Sequence, residues 1–536
     1  MALKTYRKIF FDDANPRSIH RQLVLMLAVL LLAAGLRWLD LGAGSIWADE
    51  ANIFRTASLD FTSIFDQTRF FLFDPPLYPY FLHFWSKLGM SEFFLRFPSL
   101  LFSLLGVAGA MAIGYQLGGR QTGLLSGFLM AISPTDIRYA QEIGPYALMV
   151  SLVFWNYFFL IKISLSTDLE WRLLFAWLGL VLFATYTHYI AALGVLIPFG
   201  VYTLAEVFSK QWKKLSRNLV IFFLYGVGSM PLFIYYLPYQ LSQAVEKNSL
   251  KMGLTPSWSL FIDLGKLVVH KVSFLFTGWP FTHIPEWIPF GIVVLLLLEN
   301  LITLNQSSRV NRIWLIWMAG LFALYSLYSR MDSDLGNFRH GLFFLGMVVP
   351  FVASRLSVFL ESNWKKWPAV ALLLVLVGIS LISSPQRSLR NLIYPNESWP
   401  WPETNYNLRP AFTHWLDNHQ TGEPIYIYFG GNLVFRYYLR LFGVDRCQLE
   451  RPGFPCPSDD VIYGEWFGNL PDQAKINSVK HSLPDQVNSF WLLLMSVHSN
   501  DDNLVLKALQ SDYRIVDQSI SRGVQLYYFE RRRGTY

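Results

Sequence analysis

Apolar runs of about twenty residues recur along most of this chain, and no other feature limits its folding as strongly. A helix crossing the ~30 Å hydrocarbon core of a bilayer needs about 20 mostly apolar residues, because lipid offers its backbone no hydrogen-bond partners. Runs of that kind lie near 19–37, 95–117, 121–134, 146–164, 171–187, 189–208, 218–238, 287–304, 312–329, 341–359 and 367–384. The pattern predicts an α-helical polytopic membrane protein with about eleven transmembrane helices. Composition agrees, since charged residues make up only 15% of the chain, against about 25% in soluble domains. Aromatic residues reach 17%, and many stand where apolar runs meet polar loops, as interfacial belts do. The first run ends in Arg37-Trp38 rather than at a small-residue cleavage site, which predicts a retained span. The net charge of +7 comes from Lys and Arg flanking the runs, with no single basic face, so nucleic acid is not an expected partner.

Short-loop Lys and Arg set the orientation. With Lys4, Arg7, Lys8 and Arg17 inside, alternation also leaves inside Arg120, Lys162 with Arg172, and the cluster Lys210, Lys213, Lys214 and Arg217. Arg309 with Arg312, and Arg355 with Lys365 and Lys366, fall on the same side. The opposite side receives 38–94, 135–145, 239–286, 330–340 and everything after 385. Residues 1–384 are therefore expected to form the membrane domain, with external loops 38–94 and 239–286. Residues 385–536 change character. Prolines cluster at 385–410, then strand-like runs appear at Ile425–Phe429, Phe490–Met495, Tyr513–Val516 and Val524–Phe529, with a short helix at Asn503–Leu509. This predicts a small C-terminal α/β domain outside the membrane, large enough to bury its own core. Its Cys447 and Cys456 are either two free thiols or a disulfide closing a short loop, which would add roughly 2–3 kcal/mol in an oxidising compartment.

Five short constellations fall on the outer side. Trp47-Ala48-Asp49-Glu50-Ala51 places a carboxylate pair at a membrane boundary, where a base able to activate a hydroxyl would stand. The ordinary reading is Asp49 capping a helix that begins near Ala51. Phe73-Asp74-Pro75-Pro76-Leu77-Tyr78-Pro79 is a stiff extended segment that either pins Asp74 and Tyr78 near the surface or simply turns the chain. In the segment Asp136–Tyr146, helical spacing would let Arg138 pair with Glu142 and set Tyr139 and Tyr146 on one face. His188, in Tyr186-Thr187-His188-Tyr189, is either a phosphate or sugar ligand or a satisfied interfacial residue. Arg339 and His340, in Asn337-Phe338-Arg339-His340, stand at the start of the tenth run, where an arginine fork suits a lipid phosphate or snorkels to head groups.

Taken in order, these motifs resemble a known pattern. A first span is followed by Trp-Ala-Asp-Glu, a Pro-Pro-Leu-Tyr segment, Ser-Glu-Phe-Phe-Leu-Arg-Phe-Pro-Ser-Leu-Leu-Phe-Ser-Leu-Leu-Gly at 91–106, Tyr-Ala-Gln-Glu-Ile-Gly-Pro-Tyr-Ala-Leu at 139–148 and Tyr-Thr-His-Tyr at 186–189. The order resembles the GT-C superfamily of polyprenyl-phosphate-sugar-dependent glycosyltransferases, in the branch holding protein O-mannosyltransferases and lipid A aminoarabinose transferases. The resemblance covers roughly residues 20–350. It implies an enzyme taking a sugar from a polyprenyl-phosphate donor at the outer face of a membrane. The acidic catalytic residue of the first external loop maps onto Asp49, with Glu50 beside it. The family often has His or Lys where Asp74 stands and Arg where Gly144 stands, which shifts the phosphate role toward Arg138 and Arg339.

A lipid-phosphate donor needs no nucleotide site, and Gly118-Gly119-Arg120 lacks the spacing of a phosphate loop. Oxygen ligands for Mg²⁺ or Mn²⁺ are present in Asp49, Glu50, Asp74 and Glu142, although nothing in their spacing demands a metal. The segment 239–286, with Trp258, His270, Lys271, Trp279, Pro280 and His283, is either a cover over the site or a membrane-surface helix at Leu260–Phe274. The acceptor is open between glycan, lipid and protein. The basic-inside loops fit a bacterial inner membrane. The rival readings are a lipid-linked-sugar flippase, which would carry ionisable residues near the bilayer midplane, and a non-catalytic envelope assembly protein.

Overall fold

The computed structural model describes residues 16–69, 75–166, 171–236, 238–239, 258–277, 284–303, 308–331, 338–386, 407–420, 422–444, 460–465, 470–484, 487–495 and 501–532. Asp74, Trp279, Pro280, His283, Cys447 and Cys456 lie outside them. In chain order the helices are α1 (Pro16–Trp38), α2 (Ala48–Ala57), α3 (Phe61–Gln67), α4 (Leu77–Ser86), α5 (Glu92–Ala131), α6 (Pro134–Ala140) and α7 (Tyr146–Leu165). There follow α8 (Trp171–Thr187), α9 (Tyr189–Phe208), α10 (Trp212–Pro231), α11 (Trp258–Thr277), α12 (Trp287–Ile302), α13 (Arg309–Met331), α14 (Leu345–Glu361) and α15 (Lys366–Ile382). The last stretch holds α16 (Leu408–Asn418), β1 (Ile425–Ile427), α17 (Asn432–Leu441), β2 (Val461–Tyr463), α18 (Asp472–Ser482), β3 (Ser489–Met495), α19 (Asp501–Gln510), β4 (Tyr513–Ser521) and β5 (Val524–Arg531).

Two compact units emerge. The first comprises residues 1–41, 68–78 and 96–396; the second comprises 42–67, 79–95 and 397–536. In the first unit, each apolar run seen in the sequence coincides with a helix. Among the described residues, six helices are long and apolar enough to cross a membrane, and four apolar helices are shorter. The count of eleven spans is thus not set by helix length alone. Helix α7 is apolar all round and almost wholly buried, as a helix enclosed by neighbours must be. Its buried polar groups bond locally or across helices. Asn156 Nδ2 donates to the Leu152 carbonyl at 2.8 Å, and Tyr157 Oη donates to the Gly194 carbonyl at 2.8 Å.

Helix α5 is two helices joined at a sharp break. Gly118 and Gly119 leave helical geometry, and Gly119 sits at φ +77°, a region that side chains rarely adopt. The expected runs 95–117 and 121–134 are its two arms. A Cβ added at Gly114 would fall 2.7 Å from the Thr122 carbonyl oxygen, and one at Gly127 would collide with the Met111 side chain. The pairing of 114 with 122–126 and of 111 with 127 makes the arms antiparallel, with glycines allowing their close approach. Helix α11, read from sequence as a cover or a surface helix, packs in its second half against α6. Phe274 is buried, and Thr135 Oγ1 donates to its carbonyl at 2.6 Å.

The second unit holds the C-terminal α/β domain. Its five-stranded sheet has the order β2-β1-β3-β5-β4. Strand β1 runs parallel to β2 and β3, whereas β3-β5-β4 is an antiparallel meander. One face carries Phe490, Leu492, Leu494, Tyr527 and Phe529 into a core with Val479 of α18 and Val505 and Leu509 of α19. Residues 42–67 and 79–95 of the first loop belong to this unit. Phe54 of α2 meets Tyr437 of α17 edge-on at 5.3 Å. Glu92 is fully buried, pairs with Arg409 and accepts the Tyr438 hydroxyl proton at 2.8 Å. Burial first, then the charge of Glu92, pushes the Tyr438 phenol well above its ordinary range.

Candidate active site

In the first unit, helix α6 is the platform. Ser133 caps its N-terminus, accepting from the Asp136 N–H at 3.4 Å, and Pro134 begins it where a missing N–H does no harm. All seven of its residues are buried. Its position is set by Arg37, the last charged residue of α1. The Arg37 guanidinium is fully buried and makes an ion pair with Asp136 at 2.5 Å. It also donates to Ser103 Oγ at 2.5 Å and to the carbonyls of Ala33 (3.0 Å), Ala131 (2.9 Å) and Met130 (3.0 Å). Ser103 in turn donates to the same Asp136 oxygen. Every donor of a planar guanidinium thus has a partner, which is what makes a buried arginine tolerable.

Helix α6 ends at Ala140, with Gln141 as its C-cap. Arg138 and Glu142 are therefore not on one continuous helix, because the backbone has left the helix before Glu142. Gly144-Pro145 explains the stop, since a proline disfavours helical geometry in the residue before it. The bend is held at two points. Ser99 Oγ donates to the Glu142 carbonyl at 2.7 Å, and Tyr78 Oη accepts from the Gly144 N–H at 3.0 Å.

Around this bend an aromatic and cationic chain assembles. The Tyr139 and Tyr146 rings lie 5.1 Å apart, although they come from different helices. Tyr146 lies 5.6 Å from His188. The Arg138 guanidinium stands 5.2 Å from the Tyr139 ring centre, and that of Arg339 stands 5.8 Å from the Tyr146 ring centre. The distances suit attraction between a cation and a π face. His188 is the N-cap of α9, and its Nδ1 accepts from the Ile190 N–H at 3.2 Å. An accepting Nδ1 carries no proton, so the neutral ring presents Nε2–H as a donor. Tyr78, Arg138, Tyr139, Tyr146, His188 and Arg339 thus come together from five stretches of sequence, with the Glu142 backbone in the same bend. His340 follows Arg339 in the 3₁₀ turn Phe338–Phe344.

Asp49 and Glu50 belong to the second unit, in the first turn of α2. The helix starts at Ala48 rather than near Ala51, and its N-cap is Trp47 rather than Asp49. Glu50 does the capping. It is 1% exposed, and its carboxylate accepts from the Trp47 N–H at 3.2 Å. Asp49 is half-buried. Both acids favourably meet the positive end of the helix dipole. Among the described residues, no three His, Cys, Asp or Glu side chains gather as metal ligands.

The comparisons bear on this arrangement. Residues 74–252 match the family model described as dolichyl-phosphate-mannose-protein mannosyltransferase. No curated protein matches the chain by sequence. The fold matches ArnT from Cupriavidus metallidurans bound to undecaprenyl phosphate with a TM-score of 0.56 at 12% identity, covering 94% of this chain and 97% of ArnT. The chain has the GT-C glycosyltransferase fold. A second GT-C protein, the oligosaccharyltransferase AglB from Archaeoglobus fulgidus, in complex with an inhibitory peptide and a dolichol-phosphate, matches with a TM-score of 0.51 at 12% identity, over 96% of this chain and 74% of AglB. With this fold and its apolar helices, the chain is an integral membrane protein.

Proposed function

We propose that the protein is a glycosyltransferase that moves a sugar from a polyprenyl-phosphate carrier to an acceptor hydroxyl or amine at the outer face of a bacterial inner membrane. The observation that carries the reading is the convergence of Arg138, Tyr139, Tyr146, His188 and Arg339 within one bend of the membrane unit. Two cations and a fixed Nε2–H donor suit a phosphate leaving group, and tyrosine rings suit a sugar face. ArnT and AglB, which share the fold, are described with undecaprenyl phosphate and dolichol-phosphate bound.

In the proposed step Asp49 takes the proton of the acceptor hydroxyl as the oxygen attacks the anomeric carbon. The bond from that carbon to the phosphate oxygen breaks, and polyprenyl phosphate leaves with the electron pair. Displacement from the opposite face inverts the anomeric centre. Arg138 and Arg339 offset the charge that develops on the phosphate, a contribution of the kind that dominates many enzymatic rate accelerations. A carboxylate base accounts for about 10²–10⁴-fold. Glu50, held in its capping contact, fixes the first turn that presents Asp49.

The test is purified protein with radiolabelled polyprenyl-phosphate sugar and a cell-envelope extract as acceptor. Release of polyprenyl phosphate with label on the acceptor supports the reading. Vectorial movement of intact donor without cleavage would make the protein a flippase instead.

A further inference from the structure

The second unit contains an electropositive pair that the proposed step does not use. Helix α2 packs on α17 through Phe54 and Tyr437, which brings the next residue of one helix, Arg55, toward the preceding residue of the other, Arg436. Their described partners are neutral. Arg55 Nη2 donates to Asn52 Oδ1 at 3.0 Å, and the Arg436 guanidinium lies 4.2 Å from the centre of the Tyr463 ring. The Nε atoms of both are buried and make no hydrogen bond. Among the described residues, no carboxylate pairs with either. Burial, and then the charge of Arg436, lower the Arg55 pKa, yet an arginine stays protonated in a protein. Among the described residues, two half-buried like charges therefore stand together without a counter-ion, an arrangement that is unfavourable unless an anion completes it.

We infer that Arg55 and Arg436 form an anion-binding site for a phosphate or carboxylate group. Two guanidinium forks with unused Nε–H donors match the paired oxygens of either group. Arg55 follows Asp49 by six residues on α2, which is about 9 Å along the helix axis. If the proposed transfer holds, the anion is a group carried by the acceptor, so acceptors are acidic glycans or phosphate-bearing lipids rather than neutral ones. That clause rests on the proposed function; the anion site does not.

The test uses the full-length protein in neutral detergent at low chloride, titrated calorimetrically with inorganic phosphate and, separately, with glucuronate. Thermal unfolding midpoints are read in parallel. Wild type is expected to bind at least one of the two and to gain thermal stability from it, and the tighter anion identifies the group. R55Q/R436Q should weaken binding at least tenfold, whereas R55K/R436K, which keeps both charges, should bind with intermediate affinity. R436Q alone should not lower the midpoint in anion-free buffer, because it removes a repulsion; a purely structural arginine would lower it. The inference is overturned if wild type binds neither anion, or if R55Q/R436Q binds as wild type does. If the anion site is confirmed but transfer to acidic and neutral acceptors is equal, only the acceptor clause fails. If no transfer occurs at all, the binding data still decide the site.

Discussion

Replacing Arg37 by Met should destabilise the membrane unit by about 3–5 kcal/mol, the range for breaking a buried ion pair by removing one partner. The substitution strips Asp136, itself 1% exposed, of its cation, while the Ser103 hydroxyl still donates to it. It also removes the donors to three backbone carbonyls at the ends of α1 and α5. Asp136→Asn should fall at or below the low end of that range, because Arg37 keeps its carbonyl and Ser103 bonds. The double variant should be less destabilised than the sum of the singles by about 0.5–3 kcal/mol, the coupling of groups in one network. Unfolding in mixed micelles with increasing dodecyl sulfate, followed by tryptophan fluorescence, gives the three differences. Because α6 carries Arg138 and Tyr139, Arg37→Met should also slow transfer under conditions where the variant is still folded. An Arg37→Met protein within about 1 kcal/mol of wild type, or strict additivity in the double variant, would refute this account of how α6 is held.

Glu92→Gln should loosen the second unit by about 1–3 kcal/mol, since it weakens the buried acceptor of the Tyr438 hydroxyl and the pair with half-exposed Arg409; limited proteolysis of the second unit reads this directly. Gly119→Val should cost on the order of 1–3 kcal/mol, because φ +77° with ψ −158° is backbone that essentially only glycine adopts, whereas Gly35→Ala, which meets nothing within 4 Å, should not lower the thermal midpoint. Acid should weaken the second unit. Hydrogen bonds from Ser63 and Thr62 hold Asp60 below the ordinary carboxylate range, and Lys480 does the same for Asp512. Carboxyls with lowered folded pKa values stabilise above their unfolded pKa of about 4 and lose that contribution as pH falls through the folded value. The midpoint should therefore be flat above about pH 5 and decline below about pH 4.

Much of this was legible in the sequence, and the exceptions have physical reasons. Hydropathy located the boundary between α8 and α9 at His188, because a polar residue between two apolar runs is also a helix cap. Four of the five strands were readable from apolar β-branched and aromatic runs; β2, three half-buried residues, carries too little signal. Helix α18 is short and mostly polar, whereas α16 buries Leu408, Ala411, Phe412 and Trp415 at helical spacing and α17 is strongly amphipathic, a periodicity passed over at first because both helices are far shorter than a membrane span. Arg37 looked like the ordinary basic end of a span, since its partners Ser103 and Asp136 lie 66 and 99 residues away. Local spacing misled at two places. The Arg138–Glu142 interval suggested one continuous helical stretch, but α6 ends at Ala140. The Asp49 N-cap was displaced by Glu50, whose longer side chain reaches back to the Trp47 N–H. The six residues that do converge near Tyr146 were each identified singly, while their meeting depends on tertiary packing that no spacing rule encodes.

The most direct test of the proposed function is the rate of sugar transfer from labelled polyprenyl-phosphate donor by Asp49→Asn, in protein shown by its unfolding midpoint to be folded. A loss of about 10²-fold or more, with donor binding retained, is the predicted result. Transfer within a few-fold of wild type would show that the proton leaves the acceptor by another route and would contradict the assignment of Asp49 as base.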